Sequence, residues 1–214
     1  MAQFIRPPVA VREYQDDDGT VIAYGNRWGW NSPPEKSYSV TSNLDRYEPL
    51  HEVARALIDY LESTYEVTLE NDALCIADFL RPQGVLEAVR VSPRDPTCAT
   101  LTFGFSSYPG VFLHAGVLHD FAFPACGCDA CDEGINEILD RLEQTVFAVV
   151  GGNYRESVTG RRRRWVTYEL NRTDGSEGWR IGLGGISKDQ IKSASRHLAT
   201  VPGWWAAWPL RPSG

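Results

Sequence analysis

The chain has 214 residues, a net charge of −7, and 43% hydrophobic with 23% charged residues, the make-up of a folded globular protein and, at this length, of a single domain spanning residues 1–214. An acidic excess excludes the basic face on which phosphate-backbone binding relies, so nucleic acid is not an expected partner. The first residues lack a basic region followed by an apolar run and no later stretch stays apolar long enough to cross a bilayer; no membrane partner is expected, and the expected location is the cytoplasm.

Val9, Val11 and Glu13 alternate toward Val21 and Ala23 about the turn Asp16-Asp17-Asp18-Gly19, which predicts a β-hairpin. The aspartates lack EF-hand spacing, and Asp-Gly forms turns unaided. Gly, Asn, Ser and Pro make residues 25–39 an irregular loop. From Pro49 onward, Leu50, Val53, Ala54, Leu57, Ile58, Leu61 and Tyr65 recur with helical period and predict a first amphipathic helix. Glu66 to Glu70 reads as a short strand. Asp72 to Leu80 reads as a shorter helix in which Cys75 is a small buried hydrophobe.

Three strand-like runs follow, Val85 to Val91, Ala99 to Phe105 and Val111 to Val117, a β-meander. In the second run Ala99, Leu101, Phe103 and Phe105 share one face while Cys98, Thr100 and Thr102 point the other way, the pattern of a sheet with one buried side. Ile135, Ile138, Leu139, Leu142, Val146, Phe147, Val149 and Val150 predict a second amphipathic helix stopping at Gly151-Gly152. Arg163 to Leu170 and Trp179 to Leu183 read as strands, and Ser187-Lys188-Asp189-Gln190 is a capping box that starts a short third helix through Leu198. A tail rich in Trp and Pro, residues 200–214, closes the chain. The fold class is therefore α+β: an antiparallel meander with two main amphipathic helices packed on it and a short C-terminal helix.

The segment before the second helix, Cys126-Gly127-Cys128-Asp129-Ala130-Cys131-Asp132-Glu133, gathers three of the five cysteines into six residues. In a reducing compartment such a cluster points to metal or redox chemistry ahead of disulfides. Zinc needs four ligands in a tetrahedron, and Cys126, Cys128 and Cys131 supply three thiolates around a turn eased by Gly127. The fourth ligand comes from elsewhere: His119 is nearest in sequence, and His114 and Cys98 are the alternatives. Cys128 and Cys131 also form a C-x-x-C pair before a helix, the arrangement of a thiol-dependent oxidoreductase or transferase, although Asp129, Asp132 and Glu133 oppose thiolate formation and favour a dication. The third reading is an inert, cysteine-lined turn. A Cys and His hydrolase pairing Cys128 or Cys131 with His119 and Asp120 lacks a recognisable oxyanion donor.

Arg161 to Arg164 reads as a solvated strand edge, and Gly182-Leu183-Gly184-Gly185 lacks the lysine and spacing of a nucleotide loop. His51 and His197 sit at helix ends and carry no catalytic assignment. Tryptophans at Trp28, Trp30, Trp204, Trp205 and Trp208 either close the core or leave an aromatic surface for a protein or small-molecule partner.

The run Phe123-Pro124-Ala125-Cys126-Gly127-Cys128-Asp129-Ala130-Cys131-Asp132-Glu133 resembles the signature of a family of uncharacterised bacterial proteins of unknown function. Val40-Thr41, Arg46-Tyr47, Pro49-Leu50-His51, Tyr108-Pro109-Gly110-Val111 and Ala148-Val149-Val150-Gly151-Gly152 are similar to the same pattern in the same order. The likeness spans Val40 to Gly152 and departs at Ser42-Asn43-Leu44-Asp45, where a proline and a glutamate are more usual. It implies no activity, substrate or cofactor. Taken together, the sequence predicts a binding protein rather than an enzyme, with a structural zinc or comparable soft-metal site at Cys126, Cys128, Cys131 and His119 that pins the second helix to the sheet.

Overall fold

A computed structural model describes residues 3–159, 165–172, 175–182 and 186–212. Helix α1, Pro49–Thr64, starts with a proline whose missing N–H falls among those a helix start leaves unbonded anyway, and it buries Leu50, Val53, Ala54, Leu57, Ile58 and Leu61 along one face. Strands β1 (Val67–Glu70), β2 (Val85–Pro93), β3 (Leu101–Ser106), β4 (Val111–Ala115) and β5 (His119–Phe123) form one sheet in sequence order. Every pairing is antiparallel. Helix α2, Ile135–Val150, follows the cysteine box. Strands β6 (Tyr154–Thr159), β7 (Trp165–Arg172) and β8 (Gly175–Gly182) then make a separate three-stranded antiparallel sheet. Helix α3, Lys188–Leu198, opens with the reciprocal Ser187 and Gln190 bonds that its sequence predicts. Among the described residues no helix is long and apolar enough to cross a membrane.

The α+β class and the antiparallel meander hold, with several refinements. The meander gains β5 and the second sheet gains β6, both too polar for their alternation to stand out: His119 and Asp120 open one, Arg155 and Glu156 sit in the other. The expected N-terminal hairpin reduces to a single bridge between Gln15 and Val21 around a turn in which Asp16 accepts the N–H groups of Asp18 and Thr20. Ala73–Asp78 is a 3-10 turn rather than an α-helix, and it buries Cys75 as expected. Arg161 to Arg164 and Leu183 to Gly185 lie outside the described residues.

The largest departure concerns the sheet's second face. Every residue of β3 is buried, because the 3-10 turn and Phe79 lie over the side on which Thr102 and Gly104 stand. A Cβ on Gly104 would sit 2.7 Å from the Phe79 ring, so the missing side chain is what lets that ring approach the sheet. The other face joins α1 and α2 in the main core through Leu101, Phe103, Phe105 and Leu113.

The tryptophan tail closes that core. Trp205 and Trp208 are buried, and the Trp208 indole donates to the Ala99 carbonyl at 2.9 Å. The tail backbone bonds Val150, Tyr154 and Thr97, and pairs Leu210 with Tyr65, stitching both sheets to α1. Beside it, Gly116 takes φ +66°, and a Cβ there would lie 2.1 Å from a carboxylate oxygen of buried Glu156, which accepts the N–H groups of Val117 and Leu118. Gly116→Ala should therefore destabilise the fold by about 2 kcal/mol or more, read as a lowered urea midpoint with unchanged slope.

Candidate metal centre

The strand β5 ends at Phe123 and α2 starts after its cap residue Gly134, so the cysteines occupy the turn between them rather than the helix N-terminus itself. The N–H groups of Cys131 and Asp132 both bond the Cys128 carbonyl, which curls the chain and turns the thiols toward one another. The sulfurs of Cys126, Cys128 and Cys131 all lie within 4.8 Å of each other, and those of Cys126 and Cys128 are 3.3 Å apart. A tetrahedral ion with sulfur ligands at about 2.3 Å holds them roughly 3.8 Å apart, so small side-chain rotations suffice to close on one. Cys126 and Cys131 are exposed and Cys128 is half-buried, which leaves the corner open to solvent on one side.

The thiols are electrostatically unequal. The backbone N–H of Cys131, with the Cys126 thiol beside it, holds the Cys128 pKa below its ordinary value. Hydrogen bonding to Cys126, followed by burial and Cys128, pushes Cys131 up to about 12. Cys131 is therefore the thiol least ready to give up its proton, and Cys128 is readier than an ordinary cysteine.

The acidic residues of the box do not face the sulfurs. Asp129 is buried; Oδ1 accepts the Ser42 N–H at 2.9 Å and Oδ2 accepts the Ser42 hydroxyl at 2.8 Å. Arg27 and Arg46 flank it at 3.4 and 3.8 Å. Its N–H bonds the Val40 carbonyl, and its carbonyl accepts the Trp28 indole at 3.0 Å. Asp132, in the left-handed region at φ +50°, accepts the Arg27 N–H at 2.6 Å. Glu133 accepts the N–H groups of Ala125 and Cys126 and pairs with Arg141. The electrostatic attraction for a dication expected from these carboxylates is thus largely taken up by arginines. Together with Ser42 and backbone N–H groups, these arginines tie the box to the body of the protein.

The expected fourth ligands lie elsewhere. His119 begins β5, at the far end of the strand from the box, and its ring packs 3.9 Å from that of Tyr168 and 4.3 Å from that of Phe121. Strand length separates it from the thiols, and burial drives its pKa down to about 4. His114 bonds Asp120, and Cys98, pushed up to about 11 by burial, donates to the Ala207 carbonyl. Among the described residues, the group with metal-ligand spacing consists of the three cysteines alone.

Segments distant in sequence meet here. Tyr108 from the β3–β4 turn lies over Gly127, where a Cβ would fall 1.6 Å from its hydroxyl. Arg46 sits on the rings of Tyr24 and Tyr47 at 3.9 and 4.4 Å, and His51 bonds the Gly110 carbonyl at 3.0 Å. The pieces that carried the family likeness between Val40 and Val111 are therefore the pieces that build the corner. A family model described as a family of unknown function (DUF6226) matches residues 10–212. The chain belongs to that family. The DUF6226 match extends the likeness at both ends, over the loop that cradles the box and the tail that closes the core. No match was found among curated proteins or among solved structures.

Sequence reasoning missed Asp129 as the hub of the corner and the loop 27–46 as its cradle. The separation of more than eighty residues between Ser42 and Asp129 left no local signal for their pairing. Removing that carboxylate leaves Arg46 buried without its counter-charge. Asp129→Ala should cost about 3 kcal/mol and expose residues 25–42 to limited proteolysis. His119 gives a pH signature. Its folded pKa lies below the ordinary 6.5, so its contribution is full above that value and is lost as pH falls toward 4. Between about pH 7 and about pH 4.5 the native protein should lose about 2 to 3 kcal/mol more than His119→Phe in urea unfolding.

Proposed function

We propose that the protein is a non-catalytic binding protein whose three-cysteine corner holds one soft metal ion, zinc in the first instance. The convergence of three sulfurs on one point supports this reading. Thiolates select zinc and other soft ions over magnesium or calcium. With two of the three cysteines exposed, the fourth position falls to water or to a donor from a partner. Fully exposed Trp30, with Tyr38 and Val40 from the loop that cradles the box, gives such a partner an apolar surface beside the ion. A reducing compartment, the cytoplasm first, keeps the thiols available.

The ion's structural contribution is local, because Asp129, Asp132 and Glu133 already fix the turn. The purified reduced protein should carry about one equivalent of zinc by mass spectrometry of the metal. Cys126→Ser, Cys128→Ser and Cys131→Ser should each weaken affinity at least about tenfold in a chelator competition. Since the Cys131 proton must leave, affinity should rise about tenfold or more per pH unit between about pH 6 and pH 8. Chelation should leave the far-ultraviolet circular dichroism unchanged. Protein that stays metal-free when zinc is supplied overturns the reading.

The lowered pKa of Cys128 beside the raised pKa of Cys131 favours one second reading, a thiol-dependent enzyme with Cys128 as nucleophile and Cys131 as resolving thiol. Alkylation separates the two. A single fast thiol at Cys128 in metal-free protein belongs to the enzyme; protection of all three until a chelator is added belongs to the metal site.

A further inference from the structure

The sheet face turned away from α1 carries a polar row that the thiol corner does not use. Arg90 on β2, Thr102 on β3, His114 on β4 and Asp120 on β5 are direct cross-strand neighbours, so their side chains stand in line on one face. Asp78, at the end of the 3-10 turn, accepts the Thr102 hydroxyl at 2.6 Å and takes a two-pronged bond from Arg90 at 2.7 and 2.6 Å. Arg90 also bonds Glu70, so its guanidinium is engaged on three nitrogens. Asp120 Oδ1 lies 2.7 Å from His114 Nδ1, while Oδ2 accepts the N–H groups of Leu80 and Arg81. Facing His114 as an acceptor, Asp120 fixes the ring proton on Nδ1 and leaves Nε2 with a lone pair.

Arg90 and His114 of this row border a cleft of about 310 Å³ between the sheet, the 3-10 turn and α3, lined also by Asp78, Thr100, Gln190, Ser193 and His197. Three features limit its ligand. Among the described residues lining it, Asp78 is already matched by Arg90, so this pair offers neither a cation nor an anion an uncompensated partner. The Thr100 and Ser193 hydroxyls both donate and accept, while His114 Nε2 accepts. The volume lies at the small end of ligand sites. A buried donor also waits at the edge: the Trp205 indole N–H has no partner among the described residues, stands 3.3 Å from where a Cβ on cleft-lining Gly116 would be, and its rings pack 5.4 Å from His197.

We propose that this cleft binds a small uncharged, polyhydroxylated molecule of monosaccharide size, one hydroxyl of which donates to His114 Nε2. The site is independent of the metal reading, since it shares no residue with the cysteine box. Imidazole ¹H–¹⁵N spectra of the full-length protein test it, with D-glucose, D-ribose and myo-inositol as probes. His114 should show the Nδ1-protonated tautomer. At least one probe should shift the His114 and His197 signals saturably while His51 and His119 stay still. Ser193→Trp places bulk in the cleft from an exposed position of α3, and it should abolish those shifts with unchanged circular dichroism. An Nε2-protonated His114, no saturable shift with any of the three probes, equal drift of all four histidines, or shifts that survive Ser193→Trp would each overturn the proposal.

Discussion

A carboxylate taken out of water needs its lone pairs satisfied, and Asp129 finds that satisfaction in residues that nothing else brings to it. The Ser42 N–H and hydroxyl complete its oxygens, Arg46 and Arg27 balance its charge, and its own backbone pairs with Val40 and Trp28. Residues 27–46 are placed so that all of these demands are met together. The loop therefore lies across the box, and the turn that carries the three sulfurs is held from both sides. The cluster is pre-formed by charges and hydrogen bonds that point inward, which leaves the sulfurs to point outward.

The same logic runs through the rest of the molecule. Polar groups on the buried second face of the sheet occur in hydrogen-bonded sets, Asp78 with Arg90 and Thr102, His114 with Asp120. Glu156, fully buried, is met by two backbone N–H groups, and burial raises its pKa. The tryptophan tail acts as the last layer of the core, its indole and backbone groups bonded to three different elements. Of the aromatic surface anticipated from sequence, the tail contributes Trp204, partly covered beside Arg155, whereas Trp30 stands free in solvent.

Burial divides the cysteines by chemistry. Cys75 and Cys98 are enclosed, small hydrophobes with weak donors aimed at carbonyls, and burial raises the Cys98 pKa. Cys126, Cys128 and Cys131 sit at the surface, where hydrogen bonds from the Cys131 N–H and the Cys126 thiol hold the Cys128 pKa below its ordinary value. Proximity alone keeps the Cys131 thiol protonated; a soft cation would turn the same proximity into chelation.

Local pattern determined a good deal of this protein. The helical periods from Pro49 and Ile135, the Ser187 and Gln190 cap and the Val85 to Ala115 meander all depend on residues within a few positions of one another, and the structure reproduces them. Chain spacing likewise determined that Cys126, Cys128 and Cys131 meet, since a single turn links them. What lies around them was decided at long range. His119 is five residues from Pro124, yet extended backbone carries it to the far end of β5, while Ser42, more than eighty residues away, touches Asp129. Strands β5 and β6 escaped notice because tertiary partners, not alternating hydrophobicity, satisfy His119, Asp120 and Glu156. Buried polar residues look like surface in a sequence, and only the packed structure supplies the partner that lets them stay inside.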